Sequence, residues 1–244
     1  MHLSTKLLII PLLLISLSGF SQEKFEGKLD KYDQEAGDIY IGFMDPVVVG
    51  TIDASGAFEI PLDQTIIEKS LASFDTAEKD GWTATLRTTG GHYTCNGDTL
   101  DIAHPEQTLF TMAFQGSYGI ADVDEEKPLG AFMAVDSPEF ARAFSMIGQE
   151  DMISGYYLDW YYFEQPFTVD TECVFERYAY NQEDVYEVKT IYDLDFKAGW
   201  NLVRYQVEEV YSDPDGPDMP RVIRYSTMDN MPDDVVFHYI SEGK

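Results

Sequence analysis

The sequence predicts a mainly β protein, built from antiparallel, sandwich-like β-blocks with one or two short helices. Three observations carry that expectation. Apolar and polar residues alternate with period two along most of the chain, the spacing of a strand with one covered face. Turn-forming groups such as Asp45-Pro46, Ala54-Ser55-Gly56 and Lys197-Ala198-Gly199-Trp200 separate these runs at short intervals. Helix-like spacing is confined to Gln64–Lys79 and to the stretch that follows Ser137.

Taken in order, Phe25–Tyr32, Asp38–Met44, Val47–Ile52 and Ala57–Pro61 read as four short strands of an antiparallel meander. Ile66, Ile67, Leu71 and Phe74 then fall at helical spacing, with Gly81 as the stop. Trp82–Thr88, Thr99–His104, Thr108–Phe114, Ile120–Val123 and Gly130–Val135 follow as further strands. Ser137-Pro138-Glu139 is a helix start: serine accepts from free amides, proline suits the first turn, and glutamate complements the dipole. Strands resume at Tyr156–Phe163, Phe167–Tyr178, Val185–Phe196, Asn201–Tyr211, Arg221–Met228 and Val235–Ile240. Lys197–Trp200 reads as a hairpin turn between two of them. The organisation expected is residues 1–21 as a leader, 22–136 as an N-terminal β-domain with a sandwich-like start at 25–61, 137–153 as a helical connection, and 154–244 as a C-terminal antiparallel β-domain.

Composition narrows the function classes. The 244 residues hold 44 Asp plus Glu against 16 Lys plus Arg, a formal net charge of −28. Binding to nucleic acid needs clustered cations to neutralise phosphates, so that class is excluded; anionic lipid is disfavoured for the same reason. Met1–Ser21 reads as a signal peptide, with Leu7–Leu17 as its apolar run and Gly19 and Ser21 as the small residues before a cut ahead of Gln22. That run is too short to span a bilayer, and no later stretch is a transmembrane segment. The expectation is an exported protein, periplasmic or secreted. In such a compartment Cys95 and Cys173 can form a disulfide, worth about 4–5 kcal/mol by chain entropy. Two separately buried thiols fit the sequence equally well.

Gly19-Phe20-Ser21-Gln22 resembles the leader ending of exported Bacteroidota proteins. The block Gly27-Lys28-Leu29-Asp30, Ile39-Tyr40-Ile41-Gly42, Val49-Gly50-Thr51-Ile52-Asp53, Gly56-Ala57-Phe58-Glu59-Ile60 is similar to carboxypeptidase-regulatory-like, prealbumin-type modules. Trp160-Tyr161-Tyr162 and Asp193–Asn201 resemble uncharacterised exported proteins of that phylum. The first likeness implies a β-sandwich without catalysis of its own. The second implies no activity.

Motifs with chemistry are few. No zincin helix, phosphate loop or dinucleotide fingerprint is present. His92, His104 and Cys95 can be drawn as a zinc site, but their spacing does not demand one. Asp213, Asp215 and Asp218, in a Pro- and Gly-containing loop, offer hard oxygen ligands for calcium; a solvated acidic turn is the plainer alternative. Asp122–Glu126 is a weaker candidate of the same kind. Tyr157, Asp159 and Tyr161 share one strand face and mix rings with a carboxylate, a set suited to stacking on a sugar or gripping a partner. Burial of both faces accounts for them too. The leading expectation is therefore an exported, non-catalytic binding or surface-associated β-module with an unidentified protein or glycan partner. The rivals are an exported hydrolase using carboxylate or His residues and a structural partner in an envelope complex.

Overall fold

The computed structural model describes residues 24–42, 46–79, 87–113, 115–122, 124 and 127–241. The leader, residues 82–86 of one expected strand, and residues 123, 125 and 126 of the second acidic cluster lie outside them. The elements are β1 (Lys24–Lys28), β2 (Gly37–Ile41), β3 (Val47–Ile52), β4 (Ala57–Pro61), α1 (Gln64–Lys79), α2 (Thr89–His92), β5 (Thr94–Cys95), β6 (Asp98–Thr99), β7 (Phe110–Thr111), β8 (Ser117–Asp122) and β9 (Lys127–Val135). They continue with α3 (Pro138–Ser145), β10 (Gly155–Phe163), β11 (Phe167–Tyr178), β12 (Val185–Phe196), β13 (Gly199–Tyr211), β14 (Met219–Met228) and β15 (Val236–Ile240). The protein is mainly β, as the alternation requires.

Among the described residues thirteen strands join in one sheet, in the order β1-β4-β3-β2-β8-β9-β10-β13-β14-β12-β11, with β15 on β9 and β7 on β10. The N-terminal part curls back on itself. β15 lies antiparallel to β9, and a bridge from Asp30 to His238 returns the chain to the end of β1. Strands β1, β4, β3, β2, β8, β9 and β15 therefore close into a ring. Its interior is aromatic: Phe25, Phe58, Phe132 and Phe237 meet with centroids 4.8–6.5 Å apart. Gly27 stands where the Phe237 ring crosses the backbone, and a Cβ there would lie 2.3 Å from it.

Strand β10 leaves this ring and starts an open sheet. Its sequence is apolar without alternation, and it is buried on both sides. Tyr156, Leu158 and Trp160 belong to the core of the ring, whereas Tyr157, Tyr161 and Phe163 fill two cores on the opposite face. α3 covers part of that face. Its first turn is set as the sequence predicts: the Ser137 side chain accepts from the Phe140 amide at 3.2 Å, with Pro138 inside the helix start.

Three expectations need correction. Residues 99–104 and 108–114 contain only the short strands β6 and β7; between them the chain is a loop held through tertiary bonds, such as the Thr89 amide to the Gln107 carbonyl and the Gly90 amide to Pro105. Lys197–Trp200 joins β12 to β13, but the two do not pair. β14 inserts between them, antiparallel to β13 and parallel to β12. The turn is instead closed by Asn201, whose side chain bonds the Lys197 amide and the carbonyls of Lys197 and Gly199.

Candidate functional site

The insertion of β14 aligns four tyrosines. Tyr157 faces Tyr205 in the β10–β13 pair, Tyr205 faces Tyr225 in β13–β14, and Tyr225 faces Tyr192 in β14–β12. Residues directly opposite on neighbouring strands project from the same side, so the four form a row across four strands. The rings contact in sequence: stacked at 4.8 Å, edge-to-face at 5.2 Å, and stacked at 5.5 Å. Phe144 of α3 covers one end, 5.0 Å from Tyr157 and 5.4 Å from Tyr205. Tyr93, which caps α2, stands edge-on to Tyr192 at 5.6 Å and walls the other.

Beside this row lies a cleft of about 480 Å³, lined in part by Tyr192, Tyr205 and Tyr225. Their hydroxyls form no hydrogen bond to the protein among the described residues, and burial raises their pKa values, that of Tyr205 to about 12. They stay protonated and can donate. Arg177 reaches the cleft beside the Phe175 ring, 5.3 Å from its centroid. Among the described residues it forms no ion pair. The His92 Nδ1 lies 3.2 Å from a guanidinium nitrogen of Arg87, which can only donate, so the ring proton sits on Nε2. Burial and the Arg87 charge lower the His92 pKa to about 4, keeping it neutral. Among the described residues no carboxylate lines this cleft, in a chain with 44 of them.

One wall is covalently fixed. Cys95 and Cys173 are disulfide-bonded with Cα atoms 5.6 Å apart, tying the β5–β6 hairpin to β11 at the cleft, where Cys173 is itself a lining residue. The Asn96 side chain adds a bond to the Val174 carbonyl at 3.2 Å. The bond consumes Cys95, which removes it from the drawn zinc set. Compared with family models, with curated proteins and with solved structures, the chain matches none.

The residues singled out from the sequence have other surroundings. Tyr157, Asp159 and Tyr161 are 8 %, 4 % and 6 % exposed, so they present no open platform for a sugar. α3 and the loop carrying Tyr93 cover the face they share. Asp159 is a buried knot: its Oδ1 accepts from the Trp160 amide at 2.7 Å, the Ala113 amide at 3.0 Å and the Tyr118 hydroxyl at 3.3 Å. Desolvation outweighs those donors and pushes its pKa up to about 8. Asp213, Asp215 and Asp218 do not converge. Asp213 accepts from the Tyr180 and Asp215 amides, Asp215 from the Asn181 side chain, and Asp218 from the Ser212 hydroxyl. Among the described residues no three His, Cys, Asp or Glu side chains are arranged to hold a metal ion. What the sequence reading missed is the set Arg177, Tyr192, Tyr205 and Tyr225. Tyr192 and Tyr205 lie in strands that the alternation predicts, but their alignment depends on a parallel neighbour that no local pattern announces.

Proposed function

We propose that the protein is an exported binding module whose ligand occupies the tyrosine-lined cleft. One observation carries the reading: three tyrosines of a continuous aromatic row, whose hydroxyls have no protein hydrogen-bond partner among the described residues, line one concave surface. Concave sites lined by aromatic rings with a few convergent polar groups are the usual form of a small-ligand pocket. Export is supported by the leader-like sequence and by a disulfide of the kind that persists in oxidising compartments. Among the described residues no helix is long and apolar enough to cross a membrane. The likeness to exported Bacteroidota proteins agrees with this reading.

A glycan array tests it, with Tyr225→Ala as the control. Retention of a ligand by the native chain and its loss in Tyr225→Ala, with an unchanged far-UV spectrum, supports the cleft. Retention that is indifferent to Tyr225→Ala places the ligand elsewhere and overturns the reading.

A further inference from the structure

We propose that the cleft selects a carboxylate carried on a sugar ring, that is, a uronate unit of an acidic glycan. The proposal rests on the cleft being the ligand site and adds the chemistry of the ligand. Its first support is the sign of the lining. The side chains of fixed hydrogen-bonding sense there, the Arg177 guanidinium and His92 through Nε2, are donors, and the hydroxyls of Tyr192, Tyr205 and Tyr225, which can donate as well as accept, have no protein partner among the described residues. A ligand rich in acceptors satisfies such a surface; among the described lining residues a cation finds no carboxylate.

The second support is Arg177 itself. Acidic residues outnumber basic ones by 44 to 16, yet this guanidinium has no carboxylate partner among the described residues. Its planar fork matches a carboxylate bidentately. The net charge of −28 does not forbid this, because the Debye length is about 8 Å at physiological ionic strength and more distant carboxylates are screened. The third support is spacing. The rings of Tyr205, Tyr225 and Tyr192 succeed one another at centroid distances of 5.2 and 5.5 Å, intervals comparable to the length of one pyranose unit. A sugar chain laid along the row meets a tyrosine ring at successive units, while Arg177 reads the acid.

Isothermal titration of the full chain with tri-galacturonate, with free galacturonate and with neutral galactotriose tests the proposal. The acid trimer should bind at least tenfold more tightly than the neutral trimer. Arg177→Gln should weaken acid-trimer binding at least tenfold and abolish that preference; Arg177→Lys should restore part of it. Arg177 is exposed, so melting curves of both variants should match the native one. If the free acid binds as well as the trimer, the glycan is not what is read, and the sugar-chain part falls. Equal binding of acid and neutral trimers, or a preference that survives Arg177→Gln, overturns the acid proposal and leaves the cleft reading intact. If none of the three binds, the acid proposal is overturned, and the array decides the cleft reading separately.

Discussion

Asp159→Asn separates a buried neutral carboxyl from an ordinary surface one. An unperturbed aspartate titrates near 3.9, whereas burial raises Asp159 to about 8. Below the unfolded value both states hold the proton, and the contribution of the group to stability is fully present. As pH rises toward 8 the unfolded chain releases the proton and the native chain keeps it, so stability falls by about 1.4 kcal/mol per pH unit. Above 8 both states are ionised and the loss levels off, at a total on the order of 5 kcal/mol. Asparagine keeps an Oδ1 acceptor for the Ala113 and Trp160 amides and the Tyr118 hydroxyl, but never charges. Urea unfolding of both proteins at pH 5.5 and 7.5 cancels the titration of all other carboxylates. The native protein should lose about 3 kcal/mol more than the variant over that interval. Parallel pH profiles would refute the reasoning, since they mean that Asp159 releases its proton at the same pH folded and unfolded.

Three further outcomes follow from the geometry. Replacing Cys95 and Cys173 by alanine should cost about 4.5 kcal/mol in urea unfolding, because the bond closes a separation of 78 residues; a loss below about 1 kcal/mol would show that the unfolded chain is not constrained as the chain-entropy account requires. Calcium and sodium chloride at matched ionic strength should shift the melting temperature equally, since Asp213, Asp215 and Asp218 face different partners; a calcium-specific increment lost in Asp215→Asn would contradict that. Ser137→Ala should destabilise by about 1 kcal/mol with most of the loss recovered by Asn, because the hydroxyl accepts the Phe140 amide.

Local signals carried much of the fold. β3, β4 and α1 lie where period, turn residues and helix spacing place them, because each is specified by neighbours a few residues away. The Ser137 cap was legible for the same reason. The non-local parts were not. β14 enters between β12 and β13, so the apparent hairpin at Lys197–Trp200 hides a parallel pairing that only the assembled sheet determines. The candidate site inherits that limit, because Tyr192, Tyr205 and Tyr225 become neighbours through register across strands distant in sequence. Tyr157 and Tyr161 were singled out for their rings and carboxylate neighbour, yet the second face of β10 is covered by segments whose docking leaves no mark in the β10 sequence.

The closure of the ring sets an order on how the chain can mature. β3 and β4 can pair as soon as both have been synthesised, but β9 and the end of β1 meet their last neighbour only when residues 236–240 exist. Until then two strand edges stay unpaired, and Phe25 and Phe58 lack the Phe237 ring that packs on them. Open edges beside uncovered aromatic surface invite pairing with other chains. The wait is long in contact-order terms, and the closing step must overcome the entropy of the whole intervening loop. A nascent chain kept extended until β15 arrives escapes that hazard, so the last strand works as a latch whose arrival ends the period of greatest exposure.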